Sequence, residues 1–236
     1  MVGSNLSIKQ KAAGKDLYII AGITLVTLTL FMFFNSQIMT FAKAPDESIL
    51  LRTLVIAMFQ FGLTGLGITV VAIYRKESFL KFGLKKDHLV KAILLSILVL
   101  IPSIIFGFAT GAITTYMPFH TFFFTKELLD AGLPTSILGI SIIALVWGFF
   151  EGFNYVVISD KINQRYPSKS IWLNWGAISC GIFCLLIHGM VGVTPSAIAE
   201  ALTMFIIIYG MLVVKEYTGN AWGCVLIFML FWNAIS

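Results

Sequence analysis

Residues 89–113 read LVKAILLSILVLIPSIIFGFATGAI, with Lys91 as the sole charge. A helix needs about 20 apolar residues to cross a hydrocarbon core of roughly 30 Å, and this run is long enough to do so. Stretches at about 17–40, 53–74, 135–159, 173–193, 196–214 and 219–235 meet or approach the same length. The expected fold is therefore all-α: a polytopic transmembrane helical bundle of about seven spans, one integral membrane domain over 1–236. Pro118 to Phe124 is too short to cross, and its aromatics suit the headgroup boundary. A short interfacial or re-entrant segment is expected at 118–124.

Composition points the same way. The chain is 58% hydrophobic and only 11% charged, whereas soluble domains carry about 25% charged residues. A surface this poor in polar groups belongs in lipid, and the bilayer is the first expected partner. The net charge of +5 does not imply nucleic acid, because the cations sit in short loops beside apolar runs. Of the 16 Lys and Arg, all but Lys43, Arg52 and Lys126 fall on one side of the alternating spans. The positive-inside rule then places the protein in the cell membrane as a multi-pass chain, with the N-terminus cytoplasmic and the C-terminus outside. Lys9, Lys11 and Lys15 before an apolar run, with Ala42-Lys43-Ala44 after it, mimic a signal peptide. The run from Leu17 to Phe34 exceeds the roughly 7–15 residues of a signal core, so a retained anchor is expected. Cys180, Cys184 and Cys224 lie inside apolar stretches and form no disulfide framework. In the 75–91 loop, Phe79, Leu80, Phe82 and Leu84 alternate with cations, as suits a topogenic loop or a segment lying in an anionic leaflet.

An ionisable group at bilayer depth costs about 2.5–3.5 kcal/mol on insertion scales and calls for a reason. Glu151, His188 and Glu200 are placed this way, with Asn154 and Asn233 as uncharged companions; the remaining charges can reach a loop or an interface. Ala144, Gly148 and Gly152 form a small-residue stripe beside Glu151 that admits a close helix neighbour. Asn154 and Tyr155 follow at i+3 and i+4, on the carboxylate's side. Glu151 suits a general base, a proton or ion site, or a hydrogen-bonded structural carboxyl. Cys180, Cys184 and His188 share a face but span about 12 Å at 1.5 Å per residue, so at most two could share one metal ion. Glu200 reads either as a functional carboxylate or as a helix-start acid, with Ser196 as cap.

Together these features resemble the CPBP family, the CAAX-processing and bacteriocin-processing, abortive-infection-like intramembrane proteases. Those proteins carry Glu-Glu-x-x-x-Arg in one span, Phe-x-x-x-His in the next and His-x-x-x-Asn/Asp in a late span, often after a cytoplasmic Leu-Gly-Leu-Arg/Lys stretch. The matching positions here are Phe82-Gly83-Leu84-Lys85, Glu151, His188 and Asn233, over about residues 75–236. The chain resembles a degenerate member: Gly152 replaces the second glutamate, Cys184 the phenylalanine and Met229 the second histidine, while Val156 or Tyr155 stands where the arginine would be. The resemblance implies an endopeptidase acting on membrane-adjacent peptides or prenylated-protein-type substrates. Glu151 would activate water, His188 would assist and Asn233 would stabilise the oxyanion. Family chemistry uses a glutamate and two histidines around a water or a divalent metal, and one remaining histidine does not support a two-His site. The alternative is a catalytically inactive member serving as a membrane binding or immunity protein. A small proton-coupled transporter is the third reading, though no inverted repeat is visible. Gly107-x-x-x-Gly111 and the stripe at Gly148 suit dimerisation and internal packing alike, which leaves the oligomeric state open.

Overall fold

A capping box starts the first helix: Ser7 Oγ accepts from the Gln10 N–H, and the Gln10 side chain accepts from the Ser7 N–H. The computed structural model describes residues 6–190 and 192–234, and among these it is helical throughout, with no β-strand. Helix α1 (Ile8–Phe33) is followed by α2 (Asn35–Ala42), α3 (Ile49–Thr64), α4 (Leu66–Arg75) and α5 (Leu89–Thr110). Next come α6 (Thr125–Asp130), α7 (Thr135–Ile143), α8 (Glu151–Arg165), α9 (Trp175–Ile187), α10 (Pro195–Thr218) and α11 (Trp222–Ile227). A π-helical segment, Ala144–Phe150, joins α7 to α8, and a second, Phe228–Trp232, extends α11.

Four helices are long and apolar enough to cross a membrane: α1, α5, the continuous Thr135–Arg165 rod and α10. The pair α3 and α4, bent by 54°, makes a fifth if it counts as one span. The bend falls at Gly65, where a Cβ would lie 2.3 Å from the Phe61 ring and 2.9 Å from that of Phe150. Those rings meet edge to face at 4.8 Å and fill the inside of the bend. The expected run at 173–193 yields only 13 helical residues, about 20 Å of rise. Asn174 caps α9 late, and Gly189, at φ +67°, turns the chain out of the helix early. Trp222–Trp232 is likewise short. Helix length thus carries four or five spans of the seven expected. Leu25, Val26, Met32, Phe33, Leu94 and Phe108 are among the large apolar side chains left on the outside, as a lipid-facing surface requires.

Charges gather at the two ends of the bundle, where they are packed rather than solvated. At the end holding the α1 N-terminus, Asp16 Oδ1 lies 2.7 Å from Arg75 Nε and its Oδ2 lies 2.8 Å from Lys161 Nζ. Lys161 also reaches Glu77 Oε2 at 3.0 Å. Asp16 and Lys161 are only 1% and 2% exposed, so at this end of the bundle they are held by ion pairs within the protein. The 75–91 loop turns inward as well. Phe79 and Phe82 stand in a 3₁₀ turn against Phe153, at 5.0 and 6.2 Å between ring centroids. At the opposite end, buried Arg52 pairs with Glu127 and donates to the carbonyls of Ala42 and Glu47. The 118–124 segment is a non-helical turn there. It tucks Phe119 and Phe124 into a second core with Leu128, Ile143 and Trp147.

Candidate functional site

The π segment before Glu151 decides where that carboxylate points. The Glu151 N–H bonds to Val146 O, five residues back, as well as to Gly148 O. Such wide turns recur at functional positions. The small-residue stripe receives a neighbour as expected: a Cβ on Gly148 would meet Met229 Cγ at 2.6 Å, and one on Gly152 would meet Cys224 O and the Phe228 ring at 3.1 Å. The chain segment that fits against it is α11 with its own π extension. Glu151 is consequently buried, and its Oε2 accepts a 3.0 Å hydrogen bond from Gln60 Nε2 on α3.

Tyr155, one turn further on, neighbours the Cys184 thiol, and both lie within electrostatic reach of Glu151. Cys180 donates from its thiol to the Tyr155 carbonyl at 3.7 Å. A polar seam thus runs from Gln60 through Glu151 and Tyr155 to Cys184. Gln60 was missed in the sequence because a lone amide in an apolar run carries no motif.

His188 ends this line without joining it. Its Nδ1 lies 2.9 Å from the Cys184 carbonyl oxygen, which makes Nδ1 the protonated nitrogen. Cys184 Sγ is 3.7 Å from the same atom. The imidazole is otherwise exposed, and its edge meets Trp232 at 5.8 Å. Trp232 stacks on Phe228 at 4.9 Å, and Phe228 on Tyr155 at 5.4 Å. A file of rings thus links Tyr155 to the imidazole alongside the Cys184 contact.

Asn233 turns toward the loop: its Oδ1 accepts from Thr121 Oγ1, and its carbonyl from the Thr121 N–H, both at 3.3 Å. Asn154 Oδ1 is buried without a hydrogen-bond partner. Glu200 is exposed in the second turn of α10, whose cap is Thr194, accepting from the Ala197 N–H, and not Ser196 as expected. Pro195 takes the first helical position, where its missing N–H costs nothing.

The donors do not suit a metal of the kind the resemblance implies. Among the described residues no three His, Cys, Asp or Glu side chains gather closely enough to hold an ion. The nearest approach, Cys184 with His188, has its nearer ring nitrogen committed to a backbone carbonyl.

No family model, curated protein or solved structure matches this chain. The site must be read from its own geometry.

One cavity adjoins these residues. It has a volume of about 200 Å³ between α5, α10 and the second π segment, with Leu100, Ile104, Ile207 and Phe231 in its lining. Glu200 and Thr203 also line it, and Trp232, whose ring meets His188, forms part of its wall. Trp232 thus touches both the cavity that Glu200 lines and the His188 ring, while Asn233 turns to the adjoining loop.

Proposed function

We propose that this chain is a multispanning membrane protein that binds a cationic, membrane-seeking peptide, on a degenerate CPBP-like scaffold without hydrolysis. The observation that carries the reading is the cavity of about 200 Å³: apolar in most of its lining, with the exposed carboxylate of Glu200 on it. Apolar pockets with a few placed polar groups are the usual form of binding sites. A carboxylate at such a rim selects for a cation beside the buried apolar group.

The non-hydrolytic part of the proposal rests on the seam. General base catalysis needs the base and its partner within hydrogen-bond reach of one water. Glu151 is engaged by Gln60, and His188 by its own helix backbone. The order of Glu151, His188 and Asn233 along the chain supports the CPBP-like scaffold. We read the chain as seven crossings of the cell membrane, α9 and Trp222–Trp232 being short ones, with the basic end cytoplasmic.

The test uses the full chain in nanodiscs and a fluorescent Leu/Lys amphipathic peptide, with a Leu/Glu counterpart as control. Saturable binding of the Lys peptide alone is expected. Glu200→Gln should weaken it by up to about fivefold, as suits an exposed ion pair, and Met204→Trp, which fills the cavity, should abolish it. Binding indifferent to both variants would overturn the assignment of the cavity. Cleavage of the peptide that disappears in Glu151→Gln would restore the protease reading.

A further inference from the structure

A second cavity lies at the other end of the bundle from Glu200. It measures about 720 Å³ and is walled by the segment at 81–85, the end of α8 with the chain that follows it to Asn174, and the end of α10 with Gly219. Four lysines line it: Lys81, Lys85, Lys169 and Lys215, against two carboxylates, Asp160 and Glu216. The carboxylates are spoken for. Lys215 pairs with Asp160 and lies 3.9 Å from Glu216, while Lys81 pairs with Glu77. Lys85 and Lys169 have no ion-pair partner among the described residues, and with Asp160, Glu216 and Glu77 set against the four lysines the cavity keeps a net positive charge of one.

Lys85 is held in place by its backbone. Its N–H donates to Gly83 O at 2.9 Å, and its carbonyl accepts from Asn220 Nδ2 at 2.7 Å. Gly83, at φ +102°, lies so close to the 219–221 turn that a Cβ would sit 3.0 Å from Gly219 O. Ala221 N–H closes this contact on Gly83 O at 2.8 Å. The Lys85 ammonium is thus laid against Gly219 by a docked loop, 3.3 Å from where a Cβ there would stand. Asn163, Ser168 and Ser170 add neutral polar groups to the lining. Beside them Trp172, Leu173 and Trp175 remain exposed, which is how side chains at a membrane–water boundary are arranged.

We propose that this cavity binds a phosphate group through Lys85 and Lys169, and that the group is carried by an anionic lipid whose acyl chains pass the Trp172–Trp175 rim. Two ammonium groups lining one cavity suit a phosphate through charge-assisted hydrogen bonds. Basic pockets between helices at a membrane surface are known to take lipid headgroups in this way. The site is separate from the Glu200 cavity, and its standing does not depend on what that cavity binds.

The experiment measures ligand-induced thermal stabilisation of the full chain in detergent micelles. Three probes are titrated: dioctanoyl phosphatidic acid, dioctanoylglycerol with the same chains and no phosphate, and inorganic phosphate. Saturable stabilisation by phosphatidic acid but not by dioctanoylglycerol is expected. Lys85→Ala with Lys169→Ala should weaken it about a hundredfold, at roughly tenfold for each charge-assisted contact. Lys9→Ala with Lys11→Ala, the same loss of charge at exposed positions, should leave it unchanged. Inorganic phosphate binding as tightly as the lipid would keep the phosphate site and reassign its source to a soluble ligand. Equal effects of phosphatidic acid and dioctanoylglycerol, or equal losses in the two double variants, would overturn the proposal. So would the absence of saturable binding by any phosphate probe.

Discussion

Replacing Asp16 by Asn probes the ionic knot that joins α1 to the far end of α8. The wild-type carboxylate receives Arg75 Nε at 2.7 Å and Lys161 Nζ at 2.8 Å, and both Asp16 and Lys161 are almost fully buried. The amide keeps the shape but carries no charge. It can accept from one cation while its NH₂ faces the other. Two cations then share the single negative charge of Glu77, which reaches only Lys161 of the two, at 3.0 Å. A hydrogen bond to a charged group contributes about 1.5–3 kcal/mol, and breaking a buried pair while leaving one charge in place costs about 3–5 kcal/mol. The expected loss for Asp16→Asn is accordingly about 3–5 kcal/mol. Lys161→Met is milder, about 1–3 kcal/mol, because Asp16 retains Arg75 and Glu77 retains Lys81. The double variant should lose less than the sum, since the second change removes the cation stranded by the first. Equilibrium unfolding in mixed micelles, followed by tryptophan fluorescence, gives all three values. An Asp16→Asn protein within about 0.5 kcal/mol of the parent, or a strictly additive cycle, would refute the claim that this knot holds the two helices together.

Glu77 makes the same region acid-sensitive. Burial favours its neutral acid, but the ion pairs with Lys81 and Lys161 outweigh that and hold its carboxyl below the ordinary value of 4.5. Its stabilisation is therefore complete above pH 4.5 and lost as pH falls through the lower folded-state value, so a melting-temperature profile should drop more steeply there in the parent than in Glu77→Gln. Glycine substitutions should rank by space. Gly176→Ala puts a Cβ 2.3 Å from Ser159 O and should cost more than the usual overpacking penalty of about 1–3 kcal/mol. Gly152→Ala, at 3.1 Å, should cost less, and Gly22→Ala, with nothing within 4 Å, should leave unfolding unchanged or delayed. At Glu151, Gln should preserve stability because it still accepts from Gln60. Leu strands that amide and should cost about 1–3 kcal/mol, measured in the same unfolding assay.

Much of this fold could be anticipated because lipid imposes simple demands. Apolar length located the long helices, and the spacing of Ala144, Gly148 and Gly152 marked a face where another helix presses in. What escaped were features set by partners distant in the chain. Nothing near Lys161 announces that Asp16 and Glu77 will bury it, and nothing in α3 marks Gln60 as the donor to Glu151. The π segments escaped for a related reason. An i→i+5 turn is a compromise between a helix and its neighbour, so no residue pattern within Ala144–Phe150 encodes it. The end of α9 could have been placed earlier by weighing Gly189 and Gly192 against the apolar residues around them. Hydropathy alone extends that span past the point where the backbone turns.

The two π segments also account for how Glu151 is packed. Each widens its helix by one residue where the other presses against it: Gly148 on one side, Met229 on the other. The shared bulge swings Glu151 toward Gln60 and Tyr155, and it brings Phe228 and Trp232 into register between Tyr155 and His188. An ionisable group inside a bilayer needs hydrogen-bonding partners before it needs chemistry, and the bulge supplies them within the bundle. Polar groups face cavities at the two ends, where α5 and α10 part around Glu200 and where the Lys85 segment stands off the α8–α9 turn. Cavities at both boundaries are what the proposed capture of amphiphiles from the two faces of a membrane requires.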